Sequence, residues 1–591
     1  MSVRIGYTNA FWGDTDQGAR QLLQVEGMQY LVADYLAEVT MALLSRQRAR
    51  HGREAGFIAD GVEAIVSVAA EARRRGIRIV TNAGGMEPAA CAAAIRARLA
   101  DLGVDLRVAA VVGDDLSALR GNAIPLDAVD MFTGEKLPSD LASYNAYLGA
   151  RPIAAALGAG ADVVVTGRCV DSAVVLGPLM HEHGWRDDQY DLLSAGALVG
   201  HVLECGPQCT GGLHTDWWAV PGWDDMGFPY ADVDADGTAV IAKPAGTGGL
   251  VTPATVSEQI LYEIADPGAY VLPDVVCDWR GVTAEQVGPD RVRVAGAVGS
   301  APTATYKASA TAADGYRVTA TAMFAGSQAS GRARRAGHAA VARTARLAGL
   351  ADDPFTDVSI ELVGAGETTG AAATDATEAV LKVGLRHPRR DPLQTFAREW
   401  AGTALVAQGM TGFFAGRPRV SPVHRVLHVL VGKTDVAVAV DLDGTLTPVT
   451  VADGDPDAVV STPVLAEDEQ APDPGWLPVP LRRLAWARSG DKGDNVNIGL
   501  IARRPEYLDV ITAQVTAERV GRFFGHYRPG GVRRWSMPGL GAVNVVLEGV
   551  LGGCGGTSTL RYDSQGKSYG AMLLTMPVYV PREWPALTDA P

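Results

Sequence analysis

The first 220 residues alternate short apolar runs with longer amphipathic stretches. "VRIGY" near the start, "IRIV" from Ile77, "LRVAAVV" from Leu106 and "ADVVV" from Ala161 read as buried strands, each closing on a Gly, Asn or Asp turn. Helical spacing fills the intervals, from about Val25 to Arg48 and again up to "EARRRG". This alternation predicts an α/β, Rossmann-like region over 1–220: an open, mostly parallel sheet with helices on both faces. In such sheets ligands bind beyond the carboxyl ends of the strands. The turns "TNAFWGDT", "TNAGGMEP", "VGDD" and "TGRCVDS" are therefore expected to share one crevice.

From about Phe228 the apolar period shortens to two. "TATYKASATAADGYRVTATAMF" reads as two strands flanking an "ADG" turn, so 221–450 is expected to be a β-rich, α+β second lobe of the same large domain. Residues 451–480 hold six prolines and seven acids but no Lys or Arg. That composition predicts a stiff, self-repelling linker, long enough to place the C-terminal residues on their own large region or on a neighbouring subunit. Residues 481–591 supply four or five strands and one or two helices, a small α+β domain.

Composition narrows the partners. A net charge of −15, with no basic run longer than Arg73–Arg75, argues against nucleic acid. No apolar run is long enough to span a bilayer, the N-terminus does not read as a signal peptide, and six scattered cysteines suit a reducing cytoplasm.

Candidate chemistry sits in the turns. Asn82, Gly84, Gly85 and Glu87 follow "IRIV", where two glycines would let the backbone approach a substrate. Arg168 and Asp171 follow "ADVVV" and Asp14 follows "VRIGY", all three leaving strand ends placed in one crevice, the arginine suited to a carboxylate or phosphate and the acids to proton transfer. Gly246, Gly248 and Gly249 after Lys243 precede a helix and form a candidate anion cradle. At "RSGDKGDNVNIGLIAR", Asp491, Lys492, Asp494 and Asn497 put charge and amides at the mouth of a strand. His201, Cys205 and Cys209 invite a zinc reading, but C-x3-C spacing and the helix-ending Gly206-Pro207 fit it poorly. No metal ligand set and no nicotinamide fingerprint is expected, and the common hydrolase signatures are missing from the sequence.

Longer motifs add a resemblance. "RIGYTNAFWGD", "TNAGGMEP", "VVTGRCVDSAVVLGPL", "GHVLECGPQCTGG" and "GTGGLVTPATVSEQILYEI" resemble the acyclic terpene utilisation protein A family. "RSGDKGDNVNIGLIAR" with "STLRYDSQGK" is similar to the ferredoxin-fold domain that ends its members. The likeness implies topology only for that domain, since a lone Cys554 there rules out a four-cysteine cluster. It implies a cytosolic enzyme of branched acyl, acyclic-terpenoid catabolism acting on a carboxylate or acyl-CoA thioester, of hydratase or lyase type, in a homo-oligomer. Two alternatives stand beside it: a non-catalytic acyl-CoA-binding subunit associated with an acyl-CoA carboxylase, and a zinc-dependent hydrolase.

Overall fold

The computed structural model of the chain describes residues 2–121, 124–125, 127–370, 376–412, 416–459, 461–466, 475–553 and 558–584, apart from the side chain of Glu54. The strands that frame the site are β1 (Val3–Asn9), β2 (Tyr30–Ala33), β3 (Arg78–Thr81), β4 (Val108–Val112), β5 (Ser143–Ala146), β6 (Val163–Thr166), β7 (Tyr230–Val233) and β8 (Ala239–Ala242). All but β5 lie in one eleven-stranded mixed sheet. Its middle is parallel, in the order β1-β2-β3-β6-β4. Both flanks are antiparallel: β7, β8 and two further strands beyond β1, and Ala439–Leu442 with Thr445–Pro448 beyond β4.

The central strands read as continuous apolar runs because helices cover them on both faces, which is why two separate buried clusters flank the same sheet. The expected helix from about Val25 is instead β2 followed by a helix at Glu38–His51. "YLVA" is too short for its period to tell a buried strand from a helix, and pairing with β1 and β3 decides it.

The second lobe also corrects an expectation. "TATYKASATAADGYRVTATAMF" contains no hairpin: Thr305–Ala325 is one strand of 21 residues. It pairs with Val420–Gly432 on both sides of "ADG", where the register slips between Ala313 and Tyr316 and Gly315 takes φ +72°. The glycine supports a bulge that bends the strand, a local signal much like that of a turn. This strand also binds β5, tying the second lobe to the first.

The C-terminal region is a four-stranded antiparallel sheet, ordered Ala485–Lys492, Asn495–Ala502, Ala542–Glu548, Gly531–Met537. Helices Leu508–Gln514, Ala517–Phe523 and Tyr569–Leu573 accompany it, three where one or two were expected. The sheet lies against the chain's own large region. Cβ atoms at Gly490 and Gly499 would sit 2.3 Å from the Tyr262 ring and 2.4 Å from Leu261 Cβ, so both positions require glycine for the sheet to lie so close. Ile501, Met537 and Ala542 join the main buried cluster. The described part of 451–480 runs across both regions, with the Asp455 N–H on Pro302 O and the Leu465 N–H on Arg534 O, each at 2.8 Å.

Candidate active site between the sheets

The carboxyl ends of the parallel strands deliver Asp34, Asn82, Asp114 and Arg168 to one place. Asn82 donates to Asp34 and accepts the Tyr35 N–H at 2.8 Å. The Arg168 N–H and Asn145 Nδ2 both donate to Asp114 Oδ2 at 2.9 Å. The Arg168 guanidinium is buried, donates to Leu36 O at 2.9 Å and Asp171 Oδ1 at 2.9 Å, and lies 4.2 Å from the centre of the Tyr147 ring. Burial pushes the Asp114 carboxyl up to about 7. It raises Asp34 well above its usual range too, with Asp171 adding to it and Arg168 opposing. Burial alone would also raise Glu38, but nearby His428, its Nε2 3.8 Å from Glu38 Oε1, and the charges of Arg168 and Lys307 hold it well below.

A second set of groups faces this one from the seam with the C-terminal sheet. Burial raises Glu204, against the opposing pull of His201, whose Nδ1 is 3.0 Å from Glu204 Oε1. His201 Nε2 faces the Ile260 carbonyl at 3.2 Å, so it carries the ring proton and Nδ1 meets Glu204 as a lone pair unless a further proton lies between them. Glu263 sits in the left-handed region at φ +56°, and burial, then the Asp491 charge, raises its carboxyl well above normal. Burial likewise lifts Asp491 to about 6 and drops Lys567 to about 8. Lys567 donates to the Tyr262 hydroxyl and stands 3.6 Å from Glu263. Lys492 lies with its ammonium 5.6 Å from the Tyr270 ring centre. These groups are not sealed: Asp171, Glu263 and Lys567 keep 40%, 34% and 31% of their side-chain surface open. The acids thus line a deep but water-reachable crevice, where desolvation favours the protonated carboxyl.

Beside the crevice lies a cavity of ≈ 690 Å³ between the two regions. Lys567 belongs to its wall as well, together with His214, Arg482, Arg488 and three tryptophans, Trp217, Trp218 and Trp223. The tryptophan side chains pack edge to face, with 5.8 Å and 6.0 Å between ring centres.

The expected site residues divide. Asp171, Arg168 and Asn82 stand in the crevice network, and Asp491 and Lys492 stand at its C-terminal wall. Asp14 turns its oxygens onto its own loop, to the Ala10 and Thr15 N–H groups at 2.9 and 2.7 Å; the carboxylate paired with Arg168 is Asp171. The space beside Gly84 and Gly85 is filled by protein, not open to a ligand: added Cβ atoms would meet Thr166 O at 2.4 Å and Leu44 Cδ1 at 2.5 Å. Glu87 pairs with Arg48 and Arg53. In the glycine cradle, Gly246 has open space beside it, whereas Gly248 abuts Gly222 O and Gly249 abuts Thr210 O. Lys243 is turned onto Thr247 O and Asp290, so this loop packs on itself. Asp494 Oδ1 accepts the Gly553 N–H at 2.9 Å. Asn497 is fully buried and clasps the large region. Cys209 lies in the core and donates to Gly206 O, apart from the His201–Glu204 contact, and among the described residues no cluster of three or more His, Cys, Asp or Glu is placed to hold a metal ion. Cys554 lies outside the described residues.

Sequence reading passed over Asp34, Glu38, Glu263 and Tyr270, and it gave Glu204, inside "GHVLECGPQCTGG", no role of its own. Glu263 had one available signal: it stands three residues past the helix Pro253–Ile260 in "SEQILYEIADP", with glycines far along the chain required to pack against this segment.

The frame is that of an α/β protein whose catalytic-type groups collect between a large mixed sheet and a ferredoxin-like module. Residues 3–442 match the acyclic terpene utilisation family protein AtuA, and residues 479–579 match the AtuA ferredoxin-like domain. The chain belongs to the AtuA family, with a role in acyclic terpene utilisation. Searches of curated proteins and of solved structures return no match. Among the described residues no helix is long and apolar enough to cross a membrane.

Proposed function

We propose that the protein is an enzyme of branched acyl catabolism that binds a carboxylate or acyl-CoA thioester between its two regions and moves protons on it, as a hydratase or lyase does. The observation that carries this reading is Lys567. It joins the wall of the ≈ 690 Å³ cavity to the acid-lined crevice, and burial brings it down to about 8, where a lysine exchanges its proton near neutral pH.

The surrounding groups support the same chemistry. Glu204 and Glu263 have raised proton affinity and can donate a proton; Arg168, Lys492 and Lys567 offer positive charge to a carboxylate or to the enolate that forms next to a thioester. In a hydration, a basic group takes a proton from water as its oxygen bonds to the β-carbon. The alkene electron pair moves to the α-carbon, and an acidic group protonates it there. Incubating the full chain with branched enoyl-CoA, hydroxyacyl-CoA and free-acid panels tests the reading: turnover of one class, lost in Lys567→Met, is expected. No turnover and no binding across all panels would overturn it.

A further inference from the structure

The cavity holds one group that the acid crevice does not use. His214 and Glu258 are 7% and 3% exposed, and His214 Nδ1 is 2.7 Å from Glu258 Oε2. Glu258 Oε1 accepts the Thr215 N–H at 3.1 Å and the Thr215 hydroxyl. Glu258 accepts at both oxygens, so the ring proton that meets it belongs to Nδ1 and the lone pair to Nε2. Nε2 has no hydrogen-bond partner among the described residues and is not sealed from solvent, and His214 lies in the cavity wall. Thr215 is fixed in turn by the Ala487 N–H at 2.9 Å, so the C-terminal sheet completes the arrangement.

We infer that His214 and Glu258 form a proton-transfer dyad serving an amphipathic organic anion bound in this cavity. Trp217, Trp218, Trp223 and Leu574 give the apolar body a surface, and Arg482 and Lys567 face its anionic end. Nε2 takes a proton from the ligand or from a water, leaving the electron pair on the atom that lost it. The resulting imidazolium is neutralised by Glu258, and the proton returns in a second step. The dyad adds to the proposed function a proton acceptor outside the acid crevice, and it requires no particular acyl substrate.

The test is the rate at which diethyl pyrocarbonate modifies each histidine of the full chain, read by peptide mass spectrometry, with and without decanoate as the probe. His214 is expected to react faster than His201, whose Nε2 faces Ile260 O, and decanoate but not decanol should protect it. Glu258→Gln can donate to Nδ1 and move the ring proton to Nε2, so modification should slow on the order of tenfold. Glu258→Asp, which keeps a carboxylate, should stay near the wild-type rate, and nitrogen chemical shifts of labelled His214 should report the same change of tautomer. Circular dichroism identifies a variant that has merely unfolded. The inference is overturned if His214 reacts no faster than His201, if decanoate fails to protect or decanol protects equally, or if folded Gln and Asp variants behave alike. These readouts require no turnover, so a failure of the hydratase or lyase reading leaves them intact.

Discussion

Asn497 holds Glu263 across the seam between the two sheets: its Oδ1 accepts the Glu263 N–H at 2.8 Å, while its Nδ2 donates to Leu261 O at 2.6 Å and Asn544 Oδ1 at 2.9 Å. All of these atoms belong to protein, so Asn497 positions an acid and does not itself meet a ligand. Asn497→Ala strands a buried N–H and a buried carbonyl, at a cost of roughly 1–3 kcal/mol each where water does not replace the amide. Urea unfolding should show a lower midpoint, and activity should fall further than the stability loss explains because Glu263 is released from φ +56°. Unchanged unfolding would refute the clasp.

Arg168 is the buried cation among Asp34, Glu38 and Asp171. Arg168→Met leaves Glu38 and Asp171 without this counter-charge, so a loss of roughly 3–5 kcal/mol is expected. Arg168→Lys keeps the charge but loses the planar group that lies over the Tyr147 ring and carries Nη1 to Leu36 O, Cys169 O and Asp171. It should recover part of the stability and little of the ligand binding. Equal thermal stability of the Met variant and wild type would count against this role.

Asp114 and Asp491 give stability a pH dependence of unusual sign. Their folded values, about 7 and about 6, lie above the ordinary value of 3.8, so the folded chain binds more protons than the unfolded one between these limits. Their contribution is therefore fullest at the acid end and is lost as pH rises from about 4 through about 7. Asp114→Asn keeps an oxygen for the Arg168 and Asn145 donors without the charge. Its melting temperature relative to wild type should rise between pH 5 and pH 8; a difference that stays flat would show Asp114 to be ionised throughout.

The parallel core was legible because each strand is a short apolar run closed by a turn, and the convergence of "TNAGG", "VGDD" and "TGRCVDS" followed from strand direction alone. Hydrogen bonds from Asn82 to Asp34 and from Arg168 to Asp114 and Leu36 now join these turns. What stayed hidden depends on contacts remote in the chain. "ADG" carries the same residues whether it turns or bulges, and only its pairing with 420–432 decides. The glycines after "TNA" and "KPA" gave a ligand-cradle signal, yet Thr166, Leu44, Gly222 and Thr210 occupy most of that space. Glu263 acquires its chemistry from Asp491 and Lys492, more than 200 residues away, and no local pattern marks such a partner.

The charged mouth "SGDKGDN" closes the crevice through unequal members. Asp491 is raised by burial and acts on Glu263, whereas Lys492 is exposed over Tyr270 and Asp494 holds the Gly553 N–H. An exposed lysine whose nearest aromatic face is 5.6 Å away contributes little to folding, so Lys492→Ala should change stability by only a few tenths of a kcal/mol. As a cation on a flexible stem at the crevice wall it should matter to an anionic ligand, and the variant is expected to lose most binding at an unchanged melting temperature. Asp494→Ala frees one exposed loop bond, a modest cost in stability, and should weaken binding less than Lys492→Ala because its carboxylate is turned to the backbone. Binding by calorimetry beside thermal melting separates the two effects. If Lys492→Ala binds as wild type does, the cation over Tyr270 is a solvated surface charge that takes no part in holding the ligand.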